Sequence, residues 1–220
     1  MTQPRLTLYT GSRNLSSWSL RAWLALKLTG LPFEEIVFDL EGPERAQIPS
    51  VSPSGAVPCL KVQEAGRADL LIWDSLAICE YLAELAPEAQ LWPAAMPQRA
   101  WARSVCAEMH SGFADLRRVC SMNLMLKVTG HPLSPEAQRQ LSRINALWTQ
   151  CLEAHHAEGP FLFGAFSIAD CFYAPVVTRI ATYGLNVDGP AAAYCDAVLS
   201  WAAMREWYAY AALEVKKASA

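Results

Sequence analysis

Apolar and polar residues alternate from Arg5 to Tyr9 (RLTLY), which predicts a short strand with one face buried. A polar turn, Gly11 to Asn14, follows. From Ser16 to Thr29 the period changes: Leu20, Trp23, Leu24 and Leu28 recur at helical spacing, and Gly30 stands where a left-handed C-cap belongs. Phe33 to Phe38 reads as a second strand, so the three elements predict a parallel, right-handed βαβ unit. Gly42 to Gly55 is rich in Pro and Ser and predicts irregular chain. Val57 to Val62 and Leu70 to Trp73 then read as a hairpin. Asp74 is the expected N-cap of a helix through Leu85, with Ala77, Ile78, Tyr81 and Leu82 apolar.

Beyond Leu85 the pattern changes. Ala86 to Pro97 holds three prolines in twelve residues and reads as a linker between two domains. No strand pattern follows it. Gln98 to Lys127 reads as one long helix. Ser134-Pro135-Glu136 opens another, with Ser as N-cap and Pro at the first helical position. Ser167-Ile168-Ala169-Asp170 is a capping-box start with the shorter Asp in place of Glu. Shorter helices are expected over Ala191 to Ser200 and Trp201 to Lys216. The predicted fold class is α+β: a βαβ-ββα domain over residues 1–86, a linker over 87–97 and an all-α domain over 98–220.

Composition narrows the function classes. With 220 residues, 53% of them hydrophobic, the chain has enough apolar surface for a sizeable core. A net charge of −3 with both signs interspersed points away from nucleic acid and anionic membranes. The N-terminal MTQPRLTLYT lacks signal-peptide character, and no apolar run reaches the roughly eighteen residues of a membrane span. Seven cysteines without a C-x-x-C pair read as reduced, buried side chains of a cytoplasmic protein. His155 and His156 are adjacent on a helix and point apart, so no metal site is expected.

The layout and four motifs together resemble the glutathione transferase superfamily over essentially the whole chain: SSWSLRAWLALK at 16–27, SPSGAVPCL at 52–60, DSLAICEYL at 74–82 and FSIADCFYAPVVTR at 166–179. The resemblance implies a thioredoxin-like glutathione-binding domain, then a helical domain carrying a pocket for a second, electrophilic substrate. The opening motif is most similar to serine-type transferases near the zeta (maleylacetoacetate isomerase) class. That class has Ser-Ser-Cys-Ser where this chain has Ser-Ser-Trp-Ser, and Trp18 at the cysteine position argues against isomerase and cysteine-type chemistry.

The chemistry required is a thiolate near neutral pH. A free thiol titrates near 8.5, and lowering that by two units takes about 2.7 kcal/mol. A helix N-terminus supplies roughly 0.3–1 kcal/mol, and a hydroxyl hydrogen bond to an anion about 1.5–3 kcal/mol. A serine at a helix start accounts for the shift. The resemblance assigns that role to Ser16, with Ser17 second. It also implies a cis Val57-Pro58 bond, with Val57 offering its backbone to the cysteinyl part of glutathione like an added strand. Ser75 and its helix N-terminus would hold the γ-glutamyl carboxylate. Asp74 would meet the γ-glutamyl ammonium or cap the helix. Arg45, the only Lys or Arg between Lys27 and Lys61, is the candidate for the glycyl carboxylate.

Met109, His110, Phe113 and Arg117 recur at intervals of three and four and are expected on one helix face beside Trp18, as the electrophile pocket. Arg179 joins them as a charge that a core would not choose. Zeta transferases place an arginine for a substrate carboxylate in this helix, but alignment through Pro175 puts that position at Thr182, one turn on. The expected function is conjugation of glutathione, as co-substrate, to hydrophobic electrophiles in a homodimer acting in detoxification. A glutathione-dependent cis–trans isomerase and a non-catalytic binding module are the alternatives.

Overall fold

The computed structural model describes residues 3–218. Strands β1 (Arg5–Gly11), β2 (Glu34–Phe38), β3 (Cys59–Gln63) and β4 (Leu70–Ile72) form one sheet in the order β2-β1-β3-β4. β1 pairs parallel with β2, from Thr7 opposite Glu34 to Gly11 opposite Phe38, and antiparallel with β3. Helix α1 (Ser17–Thr29) connects the parallel pair, as the βαβ pattern requires, and α2 (Ser75–Leu85) follows the hairpin. The irregular stretch after β2 contains a 3₁₀ helix, Pro43–Ser50. Helices α3 (Met96–Ser111), α4 (Ala114–Val119), α5 (Pro135–His155), α6 (Ile168–Tyr183), α7 (Pro190–Ser200) and α8 (Ala202–Ala218) make up the rest. No described helix is long and apolar enough to cross a membrane.

Two helices form the spine of the molecule. Ser17 and every residue of α1 from Ser19 to Leu26 are buried, and every residue of α6 from Ile168 to Ile180 is buried. α1 packs against α2 and the sheet in the N-terminal half and against α6 and α8 beyond it. Helices this enclosed carry apolar residues on every side. α6 starts at the expected box: the Ser167 N–H donates to Asp170 Oδ2 (2.8 Å), while Asp170 Oδ1 accepts from the Leu162 N–H (3.1 Å). All seven cysteines are free and buried.

The single long helix expected over Gln98 to Lys127 is not formed. α3 stops at Ser111, α4 is a short separate helix, and residues 120–134 are irregular. Gly112 closes α3 by donating its N–H to the Glu108 carbonyl (2.9 Å). A Cβ at Gly112 would lie 2.6 Å from that carbonyl oxygen, so the break accepts only glycine. Phe113 then takes φ 55°, the left-handed region, and turns α4 away from the α3 axis. The apolar periodicity runs across the break unchanged, which is why it misleads. Gly112→Ala is expected to cost about 1–3 kcal/mol, the range for forcing atoms into an occupied space, read as a lower urea midpoint at unchanged slope.

Side chains of α6 take up carbonyls that the missing helix leaves behind. Arg179 Nε donates to the Cys120 carbonyl (2.7 Å), Tyr183 Oη to Ser121 (2.8 Å) and Thr182 Oγ1 to Asn123 (3.0 Å). Backbone polar groups inside a protein need such partners.

Candidate functional site

The β1–α1 turn delivers Ser16 to the positive end of α1. Ser16 is the N-cap at φ −88°, ψ 92°, and its Oγ accepts from the Ser19 N–H (3.3 Å). The same hydroxyl donates to Ser19 Oγ (2.7 Å), which also accepts from the Gly11 N–H (3.0 Å). Ser19 therefore ties the Ser16 hydroxyl to the end of β1, a role the sequence pattern does not reveal. Ser16 keeps one rotatable hydrogen, and turning it toward an incoming anion leaves the acceptor bond to Ser19 intact. Ser17, the first helical residue, is buried, and its hydroxyl has no hydrogen bond among the described residues.

The turn is clamped from the helical half. Arg13 Nη1 meets Glu214 and Nη2 meets Glu35, both at 2.6 Å, and Glu214 also accepts from the Arg13 N–H (2.7 Å). The Trp207 indole donates to the Arg13 carbonyl (3.0 Å) and the Leu124 N–H to the Asn14 carbonyl (3.3 Å). The chain leading into Ser16 is thus fixed by α8 and by the irregular segment after α4.

The remaining candidates for glutathione contacts lie on other elements. The Val57-Pro58 bond is cis, and no hydrogen bond among the described residues uses the Val57 N–H. Asp74 caps α2 through Oδ1, accepting from the N–H groups of Leu76 (2.8 Å) and Ala77 (3.1 Å). Its Oδ2 lies 3.3 Å from His110 Nε2. Ser75 is fully enclosed, and its Oγ has no partner among the described residues. A buried hydroxyl without a partner at a helix start suits a carboxylate. Arg45 is exposed on the 3₁₀ helix.

The expected pocket face divides in two. Met109 is fully buried and Phe113 nearly so, and both belong to the hydrophobic core. Two other members, His110 and Arg117, lie against Trp18. His110 meets its ring edge-on at 5.3 Å, and the Arg117 guanidinium lies 5.4 Å from the ring centroid. Arg179 is buried on its carbonyl partners. A residue absent from the expected set completes the group: Arg21, at 0% exposure, with its guanidinium 4.3 Å from the Trp18 ring and 4.8 Å from Phe172. Its one sequence signal is a charge inside the run WSLRAWLAL.

Residues 15–85 match the family profile of the glutathione S-transferase N-terminal domain, and residues 132–209 that of the C-terminal domain. A zeta-class glutathione S-transferase of Euphorbia esula is 31% identical over 190 residues, 84% of this chain and 80% of the plant protein. Maleylacetoacetate isomerase maiA of Aspergillus fumigatus is 35% identical over 133 residues, 58% of this chain and 55% of the fungal protein, so that match spans little more than half of either. A glutathione transferase homolog from Burkholderia gl BGR1, solved with bound glutathione, shares the fold at a TM-score of 0.69 and 24% identity, covering 94% of this chain and 97% of that one. The chain belongs to the glutathione S-transferase family.

Proposed function

We propose that the protein conjugates the thiolate of glutathione to small hydrophobic electrophiles, with Ser16 holding the sulfur as its anion. The observation that carries this reading is the Ser16 hydroxyl, an N-cap at the end of an enclosed helix with a hydrogen free to turn. Residues 1–86 serve as the glutathione-binding domain and 98–220 as the second-substrate domain, joined by 87–97. Val57 meets the cysteinyl backbone, Ser75 with the α2 N-terminus takes the γ-glutamyl carboxylate, Asp74 the ammonium, and Arg45 the glycyl carboxylate. Trp18, His110 and Arg117 face the electrophile. The family reading extends to a homodimer in the cytoplasm.

Binding is the first test. Glutathione at ten times its dissociation constant contributes about 1.4 kcal/mol, a rise of roughly 3–6 °C in melting temperature for a chain of this size. No rise, together with no retention on immobilised glutathione, would overturn the reading in favour of a non-catalytic module.

The fungal isomerase match supports a second reading, glutathione-dependent isomerisation of a maleylacetoacetate-like acid. Trp18 at the cysteine position of that class counts against it. Turnover of maleylacetone with glutathione, or its absence beside active conjugation, separates the two.

A further inference from the structure

Arg13 shows how this chain treats an enclosed charge: it meets Glu35 and Glu214, both at 2.6 Å. Three arginines from three other helices are treated differently: Arg21 of α1, Arg117 of α4 and Arg179 of α6. Among the described residues none of them makes an ion pair, and no carboxylate is among the main groups that act on their charge.

Arg21 is fully enclosed, and its Nε, Nη1 and Nη2 all lack a hydrogen-bond partner among the described residues. Its guanidinium carbon lies 4.3 Å from the Trp18 ring centroid and 4.8 Å from that of Phe172. Arg117 approaches the same Trp18 ring at 5.4 Å, with its Nε buried and unpartnered. Arg179 follows Phe172 by seven residues, two turns along one face of α6, and helical side chains lean back toward the N-terminus. Of the charged groups, Arg179 acts most strongly on Arg21. Its own donors reach neutral carbonyls, those of Cys120 (2.7 Å) and Pro175 (2.9 Å).

Three cations of one sign are therefore gathered among packed helices. Burial, then Arg179 and Arg117, push Arg21 down to about 9, and burial, then Arg117, pushes Arg179 down to about 10. Both stay charged at neutral pH. Cys79 of α2 and Cys106 of α3, the thiols that act on Arg21, bring no counter-charge, because burial pushes both further up and keeps them protonated. Water satisfies an N–H but leaves a buried charge unanswered, whereas an anion does both.

We propose that Arg21, Arg117 and Arg179 form a binding site for one small inorganic anion, of the size and charge of chloride, held between α1 and the helices α4 and α6. Enclosure sets the class of ligand. Arg21 and Arg179 are 0% and 4% exposed, so the site takes a single ion and excludes an organic acid with its carbon skeleton. Arg117, which is half-buried, marks the side from which the ion exchanges with solvent. The ion joins α1, which follows the first strand of the sheet, to two helices of the other half of the chain, and so stabilises the folded protein. The inference stands apart from the glutathione reading and does not depend on it.

The direct test is a wild-type crystal grown in sodium bromide, with the bromide located by its anomalous scattering. A peak in contact with the Arg21 nitrogens is expected. Bromide found only at the surface, an adventitious ion only, overturns the inference. Melting curves in chloride and in gluconate at equal ionic strength form a second arm. An ion at ten times its dissociation constant shifts the folding equilibrium about elevenfold, which raises the melting temperature by roughly 3–6 °C in chloride over gluconate. Arg21→Met is expected to lose that difference. Arg117→Met, on a half-buried side chain, is expected to reduce it, and serves if Arg21→Met does not fold. No difference in the wild type, or an equal difference in wild type and variants, overturns the inference.

Discussion

Asp170→Ala is expected to cost about 3–5 kcal/mol, enough to unfold a marginal domain, with a matching fall in the urea midpoint. The Asp170 carboxyl is fully buried and accepts from the Leu162 N–H, the Ser167 N–H and the Ser167 hydroxyl at 2.8–3.1 Å. Alanine leaves those donors buried and empty at the start of α6, the helix on which α1, α3 and α7 pack. Asp170→Asn recovers only part of the loss, because its amide adds a donor among donors. Burial also pushes the Asp170 carboxyl up to about 6, against the pull of hydrogen bonds from Leu162, Ser167 and Tyr194. The folded state therefore binds the proton that the unfolded chain, near 4, has released. The sign follows: wild-type stability falls as pH rises from about 4 to about 6, and Asp170→Asn flattens that slope.

Ser16→Ala carries the largest expected effect on activity. A hydroxyl hydrogen bond to an anion is worth about 1.5–3 kcal/mol, so kcat/KM at neutral pH with chloronitrobenzene should fall roughly 10- to 100-fold. The same change removes the N-cap of α1 and costs about 1 kcal/mol of stability, which a melting curve reads separately. Ser17→Ala should change the rate by a few-fold at most. Ser17 does have a hydroxyl without a partner among the described residues, so the comparison discriminates. A large loss in Ser17→Ala with Ser16→Ala active would move the thiolate to Ser17.

The elements legible in the sequence are those whose ends are marked by local chemistry. α1 runs from a serine cap to a left-handed glycine at φ 68°, α2 from Asp74, α5 from Ser134-Pro135, and α6 from a capping box. The break after α3 is not legible, because Val105, Met109, Phe113 and Leu116 keep helical spacing across it. What ends the helix is a contact between Gly112 and the Glu108 carbonyl, and what stabilises the irregular chain beyond is a set of donors from α6, far along the sequence. Ser16, Val57, Asp74 and Ser75 are visible through motifs. Arg21 is not, since a single arginine in an amphipathic helix normally marks the solvent face. Only the packing of α2 and α6 on both sides of α1 makes it a buried charge. Met109 and Phe113 show the opposite failure: their spacing places them on the pocket face, and the structure buries both in the core.

The proposed role of Ser16 requires the sulfur of glutathione to lie at the N-terminus of α1. A crystal structure with glutathione bound tests that most directly. The sulfur is expected within hydrogen-bonding distance of Ser16 Oγ, with the Ser16 hydroxyl turned away from Ser19 and the tripeptide backbone beside Val57. A sulfur resting on Ser17, or a tripeptide whose thiol points away from α1, would contradict it.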